Sequence, residues 1–137
     1  MKYDLIFYIA KKTSYCEKTV KRLLGGIGGE VNLVTDATTP TALGEEVSGS
    51  LRRCPLAVIV GGLGSYDDDN LATVLSRVFS NSGLTLENMR RLRAQNGEAG
   101  YIIRYRSQIL LALPDSPQAI EEIFTQKLLD YLTEKLS

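Results

Sequence analysis

The sequence predicts an α/β protein: a three-layer α/β/α sandwich around a mostly parallel sheet that ends in an antiparallel hairpin. Three observations carry this reading. Apolar runs of strand length at Tyr3–Ile9, Glu30–Thr35 and Leu56–Val60 alternate with segments whose apolar residues recur at helical spacing. Two further runs, Tyr101–Tyr105 and Gln108–Leu113, are separated only by Arg106-Ser107, a connection short enough for a hairpin. A length of 137 residues, with 44% hydrophobic and 23% charged, suits one globular domain, expected over residues 1–137.

Taken in order, Tyr3–Ile9 is nearly continuous in apolar residues, the pattern of a strand covered on both faces. Val20, Leu23, Leu24 and Ile27 follow at i, i+3, i+4 and i+7, and the pairs Gly25-Gly26 and Gly28-Gly29 end that helix. Glu30–Thr35 is the second strand. Thr39-Pro40 or Thr41 starts a helix buried through Leu43, Val47 and Leu51, and Pro55 closes that unit. Leu56–Val60, bounded by Pro55 and Gly61, is the clearest buried parallel strand and is expected to be central.

The next helix is expected from Leu71, Val74, Leu75, Val78 and Phe79, stopped by Asn81-Ser82-Gly83. Leu86, Met89 and Leu92, at intervals of three, suggest a further helical segment over Leu86–Arg93. After the hairpin, Ser116 as cap and Pro117 at the first helical position start a long last helix, whose buried face is Ile120, Ile123, Phe124, Leu128, Tyr131 and Leu132.

Composition excludes several function classes. Sixteen basic and sixteen acidic residues cancel, and neither half of the chain forms a polycationic arm, so no broad binding to nucleic acid or anionic membrane is expected. The apolar run near the N-terminus is too short for a signal peptide or membrane span, which gives the expectation of a cytoplasmic protein. Cys16 and Cys54 lack paired spacing and read as reduced structural thiols. The absence of histidine excludes Ser-His, Cys-His and histidine-metal chemistry, leaving carboxylates, Tyr, Lys, Cys and backbone to move protons or hold cations.

The segment Gly61-Gly62-Leu63-Gly64-Ser65-Tyr66-Asp67-Asp68-Asp69 follows the presumptive central strand, where ligands of open α/β sheets sit. Its glycines permit φ > 0 and close approach of a ligand to the backbone, and a following helix N-terminus suits phosphate. Asp67, Asp68 and Asp69 repel a bare phosphate, a conflict that a bridging Mg²⁺ would resolve. The same glycines would serve a plain strand-to-helix turn. One carboxylate is enough to cap a helix, however, so three in succession exceed that need.

This segment resembles the GGLGPTxDD stretch of the molybdopterin-binding domain family, which includes molybdopterin adenylyltransferases and the N-terminal domain of competence-damage-inducible proteins. Asn96-Gly97-Glu98-Ala99-Gly100, and after the next strands Leu113-Pro114-Asp115-Ser116-Pro117, are similar to the family's small-residue turn and its LPGxP segment. The resemblance covers residues 30 to 125 and implies the same mixed-sheet sandwich. It implies a phosphate- or nucleotide-holding turn at Gly61, Gly62, Leu63, Gly64, Ser65 and Tyr66, joined by Glu98, Ala99, Gly100 and Pro114.

By the same resemblance, Asp36 and Asp69 are the catalytic acids, and Asp36, Asp68 and Asp69 are the metal ligands. Asp36, at the end of the second strand, is expected near Asp69 through neighbouring parallel strands; alternatively it caps a turn. Tyr66 either stacks on a pterin or adenine ring or serves as a lid or packing residue. Arg90, Arg91 and Arg93 either reach phosphate or form a solvated basic helix face.

Three departures from the pattern stand out. Ser65-Tyr66 replaces Pro-Thr, Asp115 stands where the family prefers glycine, and no Gly-Asp-Glu turn follows Ile9. The expected function, implied by the resemblance, is binding of molybdopterin or a related adenylylated phosphate ligand in molybdenum cofactor biosynthesis, with Mg²⁺ as cofactor. The alternatives are a divalent-metal nucleotide pyrophosphatase and a non-catalytic interaction or regulatory homologue. The implied partners are a small phosphorylated pterin or adenine nucleotide and further copies of the chain.

Overall fold

The computed structural model describes residues 1–62, 75, 89–95 and 99–136. Its strands are β1 (Lys2–Tyr8), β2 (Glu30–Ala37), β3 (Leu56–Val60), β4 (Met89–Arg93), β5 (Ala99–Tyr105) and β6 (Gln108–Leu113). Its helices are α1 (Thr13–Gly25), α2 (Pro40–Arg53), α3 (Pro117–Ile123) and α4 (Gln126–Leu136). The described strands form one sheet in the order β2-β1-β3-β6-β5-β4. The first four run parallel, and β5 runs against both β6 and β4.

Alternation along the central strands builds two cores. Tyr3, Leu5, Phe7, Val58, Val60, Ile109 and Leu111 point into a cluster closed by Cys16, Val20 and Leu24 of α1, Ile120 of α3, and Leu128 and Leu132 of α4. Ile6, Tyr8, Ala57, Ile59, Leu110 and Ala112 point the other way, onto Leu43, Val47 and Leu51 of α2 and onto Leu75. Leu75 is helical and buried; the rest of the helix expected around it lies outside the described residues. Every residue of β3 is buried, as its unbroken apolar run requires of a strand with helices on both faces. The three-layer reading and the central place of Leu56–Val60 therefore hold.

Local signals set the helix starts. Thr39 accepts a hydrogen bond from the Ala42 amide (3.1 Å) with Pro40 just inside α2, and Ser116 does the same for Ala119 (3.2 Å) with Pro117 inside α3. The β5–β6 hairpin turns on Arg106-Ser107, with Arg106 at φ 55, the left-handed conformation that a two-residue hairpin turn needs.

Two expectations fail. Met89–Arg93 is not helical but the edge strand β4, paired with β5 from Met89↔Ile103 to Arg93↔Ala99. Met, Leu and Arg are good helix formers, but pairing with the hairpin satisfies the backbone and turns Leu92 toward the core, so tertiary context overrides propensity. The last helix is two helices. Phe124 leaves the helical conformation (φ −77, ψ 69), and the Thr125 hydroxyl caps α4 by accepting from the Leu128 amide (3.2 Å). Phe124 stays buried, so the apolar periodicity continues across a break that it cannot reveal.

A carboxylate fastens the opposite end of the sheet. Asp4, 1% exposed, accepts from the Asn32 side chain (3.0 Å), the Leu33 amide (3.1 Å) and the Arg53 guanidinium (2.9 and 3.2 Å), tying β1 to β2 and to the end of α2. Burial alone would raise the Asp4 carboxyl. The hydrogen bonds from Asn32 and Arg53, with the Arg53 charge, outweigh it and hold the group below the usual carboxylate range.

A carboxyl lowered in the folded state contributes stability above its unfolded pKa of about 3.9, and that contribution is lost as pH falls through the folded value. Arg53→Met leaves Asp4 buried without its cation. Because Arg53 is 40% exposed and water screens the pair, the expected cost at neutral pH is about 1–3 kcal/mol. Denaturant titrations should show the gap between wild type and Arg53→Met narrowing below pH 4, where Asp4 protonates in both.

Candidate functional site

The order β2-β1-β3 fixes where a site can form. From β1 the chain crosses outward to β2, and from β2 it returns over β1 to β3, so the chain's direction across the sheet reverses between β1 and β3. In such sheets the crevice beyond the carboxyl ends at the reversal is the ligand position. Here it is bounded by Tyr8 at the end of β1 with Ile9 and Ala10 after it, Gly61 and Gly62 after β3, and Pro114 after β6.

Gly61 and Gly62 have φ of 105 and 76, conformations that L side chains rarely adopt. Gly61 is also in tight packing. Its amide donates to the Leu113 carbonyl (3.0 Å), and a Cβ on it would lie 2.3 Å from the Tyr8 carbonyl oxygen and 3.1 Å from the Ala10 Cβ. The glycine at 61 is therefore required by the fold itself. Gly100 is similar, since a Cβ there would sit 2.5 Å from the Ala112 carbonyl oxygen. Ala99 and Gly100 begin β5, which runs against β6, so they come to the same edge of the sheet as Leu113 and Pro114.

Asp36 lies in register with Phe7 and is exposed at the end of β2. It is not on a strand neighbouring β3, as the sequence reading supposed; β1 lies between them. Two interstrand spacings separate their backbones by about 9.6 Å. Leu63, Gly64, Ser65, Tyr66, Asp68, Asp69 and Glu98 lie outside the described residues. Among the described residues no cluster of three or more acidic or thiol groups is arranged to hold a metal.

Sequence reasoning missed one feature of this edge. Helix α1 begins at Lys12 without a side-chain cap of its own and has no acidic residue in its first turn. The Asp115 carboxylate, from the turn after β6, accepts from the Lys11 amide (2.7 Å) and the Lys12 amide (3.1 Å). Asp115 is a cap delivered from the far end of the chain. Two amides at a helix start suit an anion, and this chain supplies that anion internally. The signal available in the sequence was the departure at Asp115, an acid where the resembled pattern has glycine.

Cys16 Sγ lies 3.6 Å from Asp115 Oδ1. Burial, then the Asp115 charge and hydrogen bond, push the Cys16 thiol up to about 12, so it is a packed thiol and not a nucleophile. Cys54 is likewise a buried free thiol, raised by burial and by Asp4. The expectation of two reduced structural cysteines holds. Ile9 is the other unforeseen residue: 49% exposed, at φ 50, a left-handed conformation that β-branched side chains resist.

Two outcomes test this description. Asp115→Gly exposes the Lys11 and Lys12 amides and should cost about 1–2 kcal/mol in denaturant unfolding, with added sulfate stabilising the variant more than the wild type. In the native wild type at pH 8, iodoacetamide should label Cys16 at least about a hundredfold more slowly than an unstructured cysteine peptide. Labelling at the peptide's rate would contradict a thiol held protonated.

No family model matches the sequence. No curated protein matches it either. Solved structures do. The protein CinA with unknown function from Thermoplasma acidophilum matches with a TM-score of 0.70 at 15% identity, covering 99% of this chain and 98% of that one. Molybdenum cofactor biosynthesis protein B matches with a TM-score of 0.70 at 13% identity, covering 99% and 93%. MogA matches with a TM-score of 0.64 at 15% identity, covering 100% of both. The likeness is one of fold over nearly the whole of each chain: this protein has the α/β fold, with its six-stranded mixed sheet, of CinA, molybdenum cofactor biosynthesis protein B and MogA.

Proposed function

We propose that the protein binds a molybdopterin-type or adenylylated phosphate ligand beyond the carboxyl ends of β1 and β3. The observation that carries this reading is the Gly61-Gly62 turn, two successive residues at positive φ leaving a fully buried central strand at the point where the chain's crossing direction reverses. The printed name of one structural relative, molybdenum cofactor biosynthesis protein B, supports the pterin class. On this reading Gly62, Leu63, Gly64, Ser65 and Tyr66 hold phosphate and ring, while Glu98, Ala99, Gly100 and Pro114 form the opposite wall.

The distance from Asp36 to the β3 turn gives the ligand its length. A ligand stretching over the end of β1 can touch both, whereas a single ion cannot without side chains of the β3 loop reaching across. On this reading Mg²⁺ sits with Asp68 and Asp69 on the phosphate, and Asp36 serves the far end of the ligand. The internal anion at Asp115 favours a second reading: with the α1 amides already occupied, the site binds without turnover and serves a regulatory role.

Calorimetry with molybdopterin and with adenine nucleotides, each with and without Mg²⁺, tests the binding. Gly62→Val should weaken it at least tenfold, because a β-branched side chain occupies the ligand's approach, at a stability cost of about 1–2 kcal/mol. Gly61→Ala should instead unfold much of the protein. Asp69→Asn should abolish the Mg²⁺ dependence and leave the melting temperature nearly unchanged, since Asn caps as well as Asp. Asp36→Asn should weaken binding with and without Mg²⁺ alike. Equal binding by all the folded variants, or no binding by the wild type at millimolar ligand, would sink the proposal.

A further inference from the structure

Away from the β1–β3 crevice, the face of the sheet carrying α4 holds a groove of about 570 Å³ between that helix and the edge strands β4 and β5. Its size is that of a small-molecule site. Its lining is unusual for a chain of zero net charge: Arg90, Arg91, Arg104, Lys127 and Lys135 all line it, and among the described residues no carboxylate does. None of these five takes part in an ion pair among the described residues.

The strand geometry explains the convergence. Arg90 is paired with Ile102, and Arg104 lies two residues further along β5, so both project from the α4 side of the sheet at a diagonal spacing of about 7–8 Å. Lys127, Tyr131 and Lys135 stand at intervals of four on α4, one line about 12 Å long facing them. Arg91, the next residue along β4, points to the opposite face of the sheet, where its guanidinium overlies the Tyr101 ring at 5.8 Å and donates to the Tyr101 hydroxyl at 3.3 Å, so the cations that face α4 are Arg90 and Arg104. Leu92, Ile102 and Leu128 make an apolar floor.

The groove is separate from the β1–β3 crevice. Arg104 is in register with Ile109 at the start of β6, whereas Gly61 binds Leu113 at its end. Four like charges around one groove, Arg90, Arg104, Lys127 and Lys135, repel one another, a cost that proteins carry where a ligand repays it. Arginines match phosphate oxygens in pairs, lysines neutralise them as point charges, and a phenol over an apolar floor suits a flat ring.

We propose that this groove is a second ligand site, taking a small molecule with two or more linked phosphates beside a planar ring, a nucleoside polyphosphate by chemical class. Its length and volume fit such a molecule, and its closed set of cations sets it apart from an extended basic surface for a polymer.

The test is calorimetry on the full chain at low salt without Mg²⁺, using ATP, AMP and inorganic tripolyphosphate, with an oligoglutamate peptide and a single-stranded oligonucleotide as competitors. ATP should bind at least tenfold more tightly than AMP, and tripolyphosphate should displace it. Arg104→Gln and Lys127→Gln should each weaken ATP at least fivefold, with Arg104→Lys recovering part of the loss. Tyr131→Ala should weaken ATP while sparing tripolyphosphate. Gly62→Val should bind ATP at this site like the wild type, which separates failure here from failure at the crevice.

Circular dichroism confirms that the charge variants fold. The proposal is overturned if ATP and tripolyphosphate fail to bind at 5 mM by order of magnitude, or if Arg104→Gln and Lys127→Gln bind as the wild type does. It is equally overturned if Gly62→Val alone removes binding, or if peptide or oligonucleotide binds and tripolyphosphate does not displace it.

Discussion

The contact between Gly61 and the Tyr8 carbonyl is the constraint on which the upper edge of this molecule depends. A side chain at 61 would overlap the Tyr8 oxygen, so β1 and β3 can end side by side only with glycine there. The same residue's amide closes onto Leu113, which brings the turn after β6 against the turn after β3. Once these three strand ends are gathered, Ile9 and Ala10, Gly61 and Gly62, and Pro114 border one crevice. The site is a consequence of strand packing before it is a matter of ligand chemistry.

Much of this was legible in the residues. Leu56–Val60 is apolar throughout because both faces are covered, and that pattern names a central strand without reference to any neighbour. Thr39-Pro40 and Ser116-Pro117 name helix starts because cap and proline act within one turn. What was not legible depends on partners distant in sequence. Met89–Arg93 contains good helix formers, and only the β5 hairpin makes it a strand. Phe124 keeps its place in the core while its backbone leaves the helix, so the pattern of burial runs on past the break.

The candidate site was legible in a different way. Its glycines could be placed from the sequence, but their reasons could not: Gly61 and Gly100 are excluded from bearing a side chain by carbonyls of other strands, not by a ligand. Asp36 was correctly placed at a strand end, yet strand order set it one strand further from the β3 turn than chain order suggested. Asp115 was visible only as an anomaly. Its role as a cap for α1 needs the two ends of the chain to meet, and no spacing rule reports that.

Where a fold is locally consistent throughout, the few places that break its rules mark where something other than stability was selected. Ile9 holds a left-handed backbone at the crevice, and four cations share one groove at the far edge. By contrast, Asp4 and Asp115 are each compensated by donors in place, so neither leaves capacity for a further partner. The buried thiols are similarly closed off, Cys16 by Asp115 and Cys54 by Asp4. Among the described residues, that leaves these two regions uncompensated. On the two proposals made above, the first would take a phosphate carried with a metal and the second unaccompanied negative charge, so their ligands would differ in what they offer.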